Sequence, residues 1–388
     1  GEFAGAVEAA ASTGGQIMPP IMGAAAFLMS EYMGIPYRDV ALKAILPAVL
    51  YFTGIYIAVH LEAKKLGLRG IPKEELPKFS KLLPKIYLLL PLVVLVVLVS
   101  SQARTMQVSA AIAILVTIIV GLINNVVNKS MNIDDPAEKF TVNKFLDALE
   151  AGGKSTVTVA VACAMAGLVA GCITTTGLAS QLITAIVKVS GGMPIIALFL
   201  TMICCIILGM GVPTTANFCI MASTCAPILM DKRIGIVPVA AYFFVFYFGI
   251  VADITPPVAL AAYAGSAIAK APPMKTALNA TRLAIAAFVV PYIFAFSPVM
   301  LFEFAADATM AVKIIESVLI VVTSLIGLFG IATALNGFLY RPINPLFRVL
   351  MAAGGLCMMI PDHISDVVGL VVVGGVIVFQ RMGAKKTA

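Results

Sequence analysis

The sequence predicts an all-α polytopic membrane protein that contains interrupted helices. Of its 388 residues, 61% are hydrophobic and 12% are charged, and the mean hydropathy is +1.05. A soluble domain would carry about 25% charged residues. Apolar runs of about 20 residues favour helices over a β-barrel, whose strands alternate apolar and polar residues. Three apolar regions are broken by glycine, proline and polar residues, and such breaks in membrane helices usually line a cavity or a binding site.

The first break lies in the segment Gly14–Pro20, which reads GGQIMPP. Proline cannot continue a helix because it lacks an N–H and clashes with the preceding turn. A spanning helix is predicted after the break, at Leu42–His60. The following loop, Leu61–Lys85, carries seven basic residues against three acidic ones, which predicts that it lies on the cytoplasmic side. The net charge of +7 therefore indicates the cytoplasmic leaflet as its partner, rather than nucleic acid.

Several segments connect this loop to the next break. Three are predicted to cross the membrane, outward, inward and outward again: Ile86–Ser100, Val108–Val127 and Thr156–Thr174. Between the last two, the mixed-charge stretch Asn128–Lys154 is expected inside, with a surface helix around Val142–Leu149. Gly177–Val189 is expected at the membrane interface, with Lys188 at its end.

The second break divides Pro194–Met230 into a re-entrant hairpin with the tip GMGVPTTANF. A half-helix starting near Thr214 would present free N–H groups and a positive dipole end to an anion. The side chains of Thr214, Thr215 and Asn217 are therefore candidate substrate ligands. Carbonyl groups freed before the half-helix suit a monovalent cation. The alternative is a kinked helix with a capping threonine and no ligand.

The third break interrupts residues 236–270 at Asp253, Thr255, Pro256 and Pro257. An acid within a membrane segment is costly, so it tends to be functional or paired. Asp253 could support a cation site, carry a coupling proton, or cap a half-helix beginning at Pro256, which Thr255 could also cap.

The first and third breaks form an internal repeat. Placing Gln16 on Asp253 also places Ile17 on Ile254 and the two Pro–Pro pairs on each other. The spanning helix of the first copy ends inside, whereas that of the second, Ala277–Pro298, begins inside, which predicts an inverted repeat. The predicted organisation is the end of a first repeat (1–60), a cytoplasmic loop (61–85), a second repeat (86–300) with its hairpin (194–230) and broken helix (236–270), and extra C-terminal membrane helices (311–388).

The tail contains three further apolar segments, Ile314–Leu335, Leu346–Ile360 and Val367–Gln380, without apparent binding chemistry. The sequence shows no catalytic triad, metal-ligand or nucleotide-binding pattern, so neither an enzyme nor a cofactor is predicted. A channel would need a continuous polar path or a ring of charges, and the isolated breaks do not provide one. An ion or solute channel and an intramembrane enzyme are the alternatives to a secondary transporter.

Three motifs, GGQIMPPIMGAAAF, GMGVPTTANFCIMASTCAPIL and VADITPPVALAAYA, resemble the large membrane subunit of tripartite ATP-independent periplasmic (TRAP) transporters. The resemblance covers about residues 1–300 and is closest to the fused type that works with TAXI binding proteins. It implies an elevator-type secondary transporter in the bacterial inner membrane. The expected partners are a periplasmic TAXI-type binding protein, a small organic-acid substrate and a small permease subunit or its fused equivalent.

The resemblance also implies coupling to a cation gradient, usually sodium, with protons as the alternative. One cation site would use Gly209, Gly211, Val212, Thr214, Asp253, Thr255 and Pro256. The other would use Gln16, Met18 and Pro19. Relative to the family pattern, the chain is expected to be truncated at its N-terminus, without the first hairpin and the scaffold helices that precede it.

Overall fold

The structure is a computed structural model, and it describes residues 1–20, 22–68, 70, 72, 75–76, 83–101, 104–130, 139–305, 307, 309–360 and 362–385. Much of the predicted basic loop, including Arg69, Lys73, Lys78 and Lys81, lies outside these residues. The described part is helical without a strand, as predicted. Among the described residues, five helices are long and apolar enough to cross a membrane, and they correspond to predicted spans: Tyr37–Lys65, Gln107–Ser130, Pro273–Phe296, Met310–Asn336 and Ile364–Met382.

The chain forms two compact units. The second unit comprises Ile35–Asp39 and Arg69–Val161, and the first comprises the rest. The helices of the N-terminal half are α1 (Glu2–Gly14), α2 (Ala24–Met33), α3 (Tyr37–Lys65), α4 (Leu90–Ser101), α5 (Met106–Ser130) and α6 (Val142–Thr175). Those that follow are α7 (Leu178–Ser190), α8 (Pro194–Gly209), α9 (Thr214–Thr224), α10 (Ala226–Met230), α11 (Pro238–Val251), α12 (Leu260–Ile268), α13 (Pro273–Leu283), α14 (Ile285–Phe296), α15 (Met310–Asn336), α16 (Pro345–Cys357) and α17 (His363–Lys385).

Within the second unit, two asparagines of α5 form hydrogen bonds to the segments beside them. The Tyr87 hydroxyl lies 2.7 Å from Asn124 Oδ1. The Asn125 amide donates to the Phe140 carbonyl and accepts from the Phe140 N–H, both at 2.7 Å. Asn124 therefore holds the segment before α4, and Asn125 holds the segment after α5.

The predicted helix over Val142–Leu149 is present, but it is continuous with the predicted span at Thr156–Thr174, because α6 is a single helix of 34 residues. It continues through Gly152 and Gly153. An ion pair between Lys154 and Glu150, four residues apart, bridges the glycine pair, and the Thr156 hydroxyl donates to the Gly152 carbonyl at 2.9 Å. At 1.5 Å per residue α6 is about 51 Å long, more than the ~30 Å of a bilayer core.

Both copies of the repeat are interrupted at equivalent positions. Helix α1 ends at Gly14 and α11 ends at Val251, which is the same offset that places Gln16 on Asp253. Their second halves, α2 and α12, begin within one residue of equivalence. The packing is reciprocal, because α1 contacts α12 and α2 contacts α11. A two-fold relation between the copies requires this arrangement.

The spanning helices of the two copies run antiparallel. Near the start of α3, Lys43 pairs with Glu303, which follows α14, at 2.6 Å. Near the end of α3, Glu62 pairs with Arg282 of α13 at 3.1 Å. An inverted repeat requires opposite directions of this kind, whereas the orientation in the membrane stays a prediction.

We expect cysteines placed at Lys64 and Lys232 to react with an impermeant thiol reagent from opposite sides of the membrane. Both positions are exposed, one at the end of α3 and the other in the turn after α10. The measurement is labelling of intact cells and inverted vesicles, with the exposed native Cys172 replaced by serine. Labelling of both positions from the same side would contradict the predicted topology.

Candidate substrate and cation site

The hairpin tip is a short non-helical turn between α8 and α9. Met210 adopts extended backbone, and Gly211 has a φ of +74°, which a glycine adopts without steric cost. Pro213 precedes α9, which begins at Thr214 as predicted. No side chain caps this helix, so the alternative of a threonine-capped kink is not supported. Thr214 and Thr215 are half-buried in its first turn.

The hairpin tip lies directly against the third break. A Cβ placed on Gly209 would come within 2.8 Å of the Ala252 Cβ, and one on Gly211 would lie 3.9 Å from Val258 Cγ1. Gly209 also contacts the side chain of Asn217. The structure therefore brings together two of the three breaks that the sequence predicts to form a site.

Asn217 connects the hairpin to the interrupted helix. Its side chain is 1% exposed, and its amide donates to the Gly249 carbonyl of α11 at 3.1 Å. Its Oδ1 has no hydrogen-bond partner among the described residues. The structure thus places this candidate ligand in a hydrogen bond between the hairpin and α11. Its Oδ1 is the atom that could still accept a hydrogen bond.

The third break is longer than predicted. A 3₁₀ turn, Ala252–Ile254, follows α11, and α12 begins only at Leu260. The predicted helix start at Pro256 is wrong, because a residue that precedes a proline avoids the helical region and Pro256 itself precedes Pro257. Thr255 accordingly has extended backbone.

Hydroxyl groups hold the carbonyls of this break. The Thr255 hydroxyl donates to the Val251 carbonyl at 2.7 Å, and the Thr281 hydroxyl donates to the Ile254 carbonyl at 2.9 Å. Thr255 therefore ends the first half-helix rather than capping the second. Thr281 was not predicted to belong to this site, because it is 27 residues away from Ile254 in the sequence. The signal that could have indicated it is a threonine early in the spanning region that follows the break.

Asp253 lies half-buried within the 3₁₀ turn. No side chain caps α12, so the structure does not show the capping role considered for Asp253. The described residues contain no group of three or more His, Cys, Asp or Glu that could hold a metal ion. A cation at this break would therefore depend mainly on backbone and hydroxyl oxygens, with Asp253 as the carboxylate that the break itself contains.

The first break folds back on itself after α1. The Gly23 N–H donates to the Gln16 carbonyl at 3.0 Å, and Met18 and Pro19 lie in the turn between them. The Tyr51 hydroxyl donates to the Ala10 carbonyl at 2.6 Å and fixes α1 to α3. Helix α1 also packs on the Ala252–Ile254 turn. The helix that leads into the first break therefore contacts the third break.

An apolar cavity of about 230 Å³ adjoins the hairpin tip. It is lined by Met165 and Val169 of α6 and by Gly211, Val212, Pro213, Ala216 and Ile220 of the hairpin. Sequence reasoning missed the two α6 residues, although their spacing of four residues is typical of one helix face.

Removing the Thr214 hydroxyl is expected to impair transport without unfolding the protein, since no described hydrogen bond of the fold uses this group. Asn217→Ala should lower both transport and the melting temperature, because the Gly249 carbonyl loses its donor at a cost of about 1–3 kcal/mol. Uptake by proteoliposomes and the unfolding temperature would be measured for each variant. Thr184→Ala, which removes an exposed hydroxyl from α7, is the control. Wild-type uptake in both site variants would contradict their assignment.

A family model described as "Tripartite ATP-independent periplasmic transporter, DctM component" matches residues 1–308. This range contains all three breaks and both spanning helices of the repeat. A comparison with curated proteins finds no match.

Proposed function

The chain belongs to the DctM-component family of tripartite ATP-independent periplasmic transporters, and from this premise we propose that it imports a small organic anion, driven by an ion gradient. The family is one of transporters, not of enzymes, and its members work with a periplasmic binding protein and a small subunit. The observation that carries the proposal is the contact between the hairpin tip and the third break at Gly209 and Ala252. Secondary transporters bind their substrates between such interrupted helices.

A carboxylate of the substrate would lie at the start of α9. The first-turn N–H groups and the helix dipole favour an anion there, and the Thr214 and Thr215 hydroxyls are additional donors. The carbon skeleton would occupy the neighbouring cavity beside Met165 and Val169, whose walls are apolar. A small carboxylate with an apolar substituent fits this combination.

The coupling ion is proposed to be sodium. The hairpin turn at Gly209–Val212 and the turn that contains Asp253 both interrupt helices, and interrupted helices expose carbonyl oxygens that can replace a hydration shell. Gln16, Met18 and Pro19 would serve a second ion. Protons are the alternative coupling ion, and Asp253 would then be the carrier.

The partners proposed for the chain are a TAXI-type binding protein that delivers the substrate and a small permease subunit or its fused equivalent. The membrane is proposed to be the bacterial inner membrane. The five long apolar helices of the described part support a multi-pass membrane protein, and the named family works with a periplasmic partner on one side of the membrane.

The proposal is tested by uptake into proteoliposomes that contain the chain and its small-subunit partner. A thermal-shift screen of organic acids, with and without sodium, first selects the substrate. We expect accumulation only when the binding protein and an inward sodium gradient are both present, and its loss when a sodium ionophore is added. Passive flux without the binding protein would instead indicate a channel, and formation of a product would indicate an enzyme.

A further inference from the structure

The chain forms a tight turn between α15 and α16, at residues 337–344. Gly337 has a φ of +64°, a value that a glycine adopts without steric cost, and the chain reverses there directly after α15. The Ile343 N–H donates to the Gly337 carbonyl at 2.9 Å and closes the turn. Arg341 lies inside this closed turn, so its backbone position is fixed.

The turn packs against the end of α3. Leu339 and Ile343 of the turn form a buried cluster with Leu61 of α3, and Ile377 of α17 packs against the same cluster. The ends of α3 and α17 therefore lie beside the turn. Because the loop after α3 carries an excess of basic residues, this end of the molecule is the predicted cytoplasmic end.

The guanidinium group of Arg341 is held in one orientation. Its Nε donates to Gln380 Oε1 at 3.3 Å, and Gln380 is 2% exposed. Its central carbon lies 5.5 Å from the centre of the Phe379 ring, which stacks in turn on Phe347 with ring centres 4.8 Å apart. The two terminal nitrogens form no hydrogen bond with a described residue. Two such nitrogens of a planar guanidinium match the oxygens of a phosphate group.

Arg348 of α16 lies beside the same turn but has a different role. Its Nε donates to the Ala334 carbonyl at 2.7 Å, and its Nη2 donates to the Leu335 carbonyl at 3.3 Å. Both carbonyls belong to the last turn of α15, where they have no partner within the helix. Arg348 therefore completes a helix end, whereas Arg341 keeps two donor nitrogens for a ligand.

The surroundings of the turn carry positive charge that no described acidic residue compensates. The acidic side chain of α3 at this end, Glu62, already pairs with Arg282 at 3.1 Å and with Lys65 at 3.5 Å. Lys64 and Arg381 are exposed and form no ion pair with a described residue. A negatively charged ligand is therefore favoured at this end.

Apolar side chains are exposed next to the guanidinium group. Phe379 is 45% exposed, and Val378 and Met382 of the same helix are exposed as well. Helix α17 is long and apolar enough to cross a membrane, so these side chains face acyl chains. Tyr340, also exposed, is an aromatic residue of the kind enriched at the level of the lipid headgroups. The surface therefore matches a ligand that has both a negative charge and an acyl chain.

We propose that this turn binds the phosphate group of an anionic phospholipid of the cytoplasmic leaflet. The two terminal nitrogens of Arg341 donate to two phosphate oxygens, and Lys64 and Arg381 add positive charge around the headgroup. The acyl chains lie along Phe379 and the apolar side chains beside it. Anionic lipids are concentrated in the cytoplasmic leaflet, which is the predicted side of the turn. The site is separate from the proposed transport site and does not depend on the proposed function.

The test measures binding to the purified full chain in detergent by native mass spectrometry and by the unfolding temperature. Phosphatidylglycerol is compared with phosphatidylcholine of identical acyl chains and with glycerol 3-phosphate, which has the phosphate without acyl chains. We expect phosphatidylglycerol to bind at least about tenfold more tightly than phosphatidylcholine. Arg341→Gln should weaken its binding by about tenfold, ~1.4 kcal/mol. Arg341→Lys should also weaken it, because lysine keeps the charge but lacks the planar pair of donors.

Lys129→Gln is the matched control, since it removes an exposed basic residue from the end of α5 on the same predicted side of the membrane. It should leave binding unchanged within about twofold, a difference of ~0.4 kcal/mol. Phe379→Leu keeps every charge but removes the ring beneath the guanidinium group, so it should weaken binding and keeps the test valid if Arg341→Gln fails to fold.

Four results would overturn the proposal. The first is equal binding of the two lipids, and the second is a loss in Lys129→Gln as large as that in Arg341→Gln, which would indicate diffuse attraction. The third is wild-type binding of phosphatidylglycerol by both Arg341→Gln and Phe379→Leu. The fourth is stabilisation by glycerol 3-phosphate equal to that by phosphatidylglycerol, which would identify a soluble phosphate as the ligand in place of a lipid.

Discussion

Replacing Gly265 by alanine is expected to destabilise the whole repeat. A Cβ at this position would lie 2.6 Å from the Gly5 carbonyl oxygen, and a Cβ on Gly5 would lie 2.8 Å from that of Gly265. The contact is between two backbones, so no side chain can rotate away, and α1 would have to move off α12. Overpacking of this kind costs about 1–3 kcal/mol, and sometimes more. Size-exclusion yield and unfolding temperature in detergent would measure the effect.

Gly171→Ala is the matched control for this experiment. Gly171 also lies in a helix, but a Cβ there meets nothing within 4 Å. Alanine is favoured over glycine in a helix by up to about 1 kcal/mol, so the control should be neutral or slightly more stable. An unfolding temperature of Gly265→Ala equal to that of the control would show that α1 and α12 do not cross at these glycines. Because this crossing holds the first break beside the third, uptake should fall together with stability.

The breaks in the helices were predictable because proline and glycine act locally. The ends of α1 and α11, the turn before Thr214 and the repeat that relates Gln16 to Asp253 all follow from a few residues whose backbone preferences do not depend on their neighbours in space. The antiparallel α3 and α13–α14 were also predictable, since charge in the loops indicates direction.

Other features depend on contacts between distant residues and were not predictable. Thr281 holds the Ile254 carbonyl across 27 residues, and Asn217 uses its amide on Gly249 rather than presenting it to a ligand. The continuity of α6 through Gly152 and Gly153 was not predictable either, because glycine is a poor helix former and the pair favours a break there. The start of α17 also meets the middle of α15, where Asp366 and Ser324 line the same cavity, and no local pattern in the tail indicates that meeting.

The second large effect is expected for Asp253→Asn. The structure does not show Asp253 capping α12, which leaves support of a cation site and proton coupling as its possible roles. We expect the carboxylate to support a cation site, because the matching residue of the first repeat is Gln16, so the repeat does not require a proton carrier at this position. The neutral amide should then lower uptake by at least about tenfold, which corresponds to ~1.4 kcal/mol of lost interaction, and should do so at every pH.

The measurement is substrate exchange and net uptake by proteoliposomes over a pH series, with sodium present and absent. Asp231→Asn is the control, since Asp231 bonds to Arg233 in the exposed turn that follows the hairpin and does not contact the tip. A cation-supporting Asp253 predicts weaker sodium dependence and reduced uptake throughout. A proton carrier predicts a different pattern, because the amide imitates the protonated acid: exchange would continue while accumulation driven by a proton gradient would stop. Wild-type behaviour in every condition would remove Asp253 from the site and leave the hairpin turn and the hydroxyl groups around it to hold the ion.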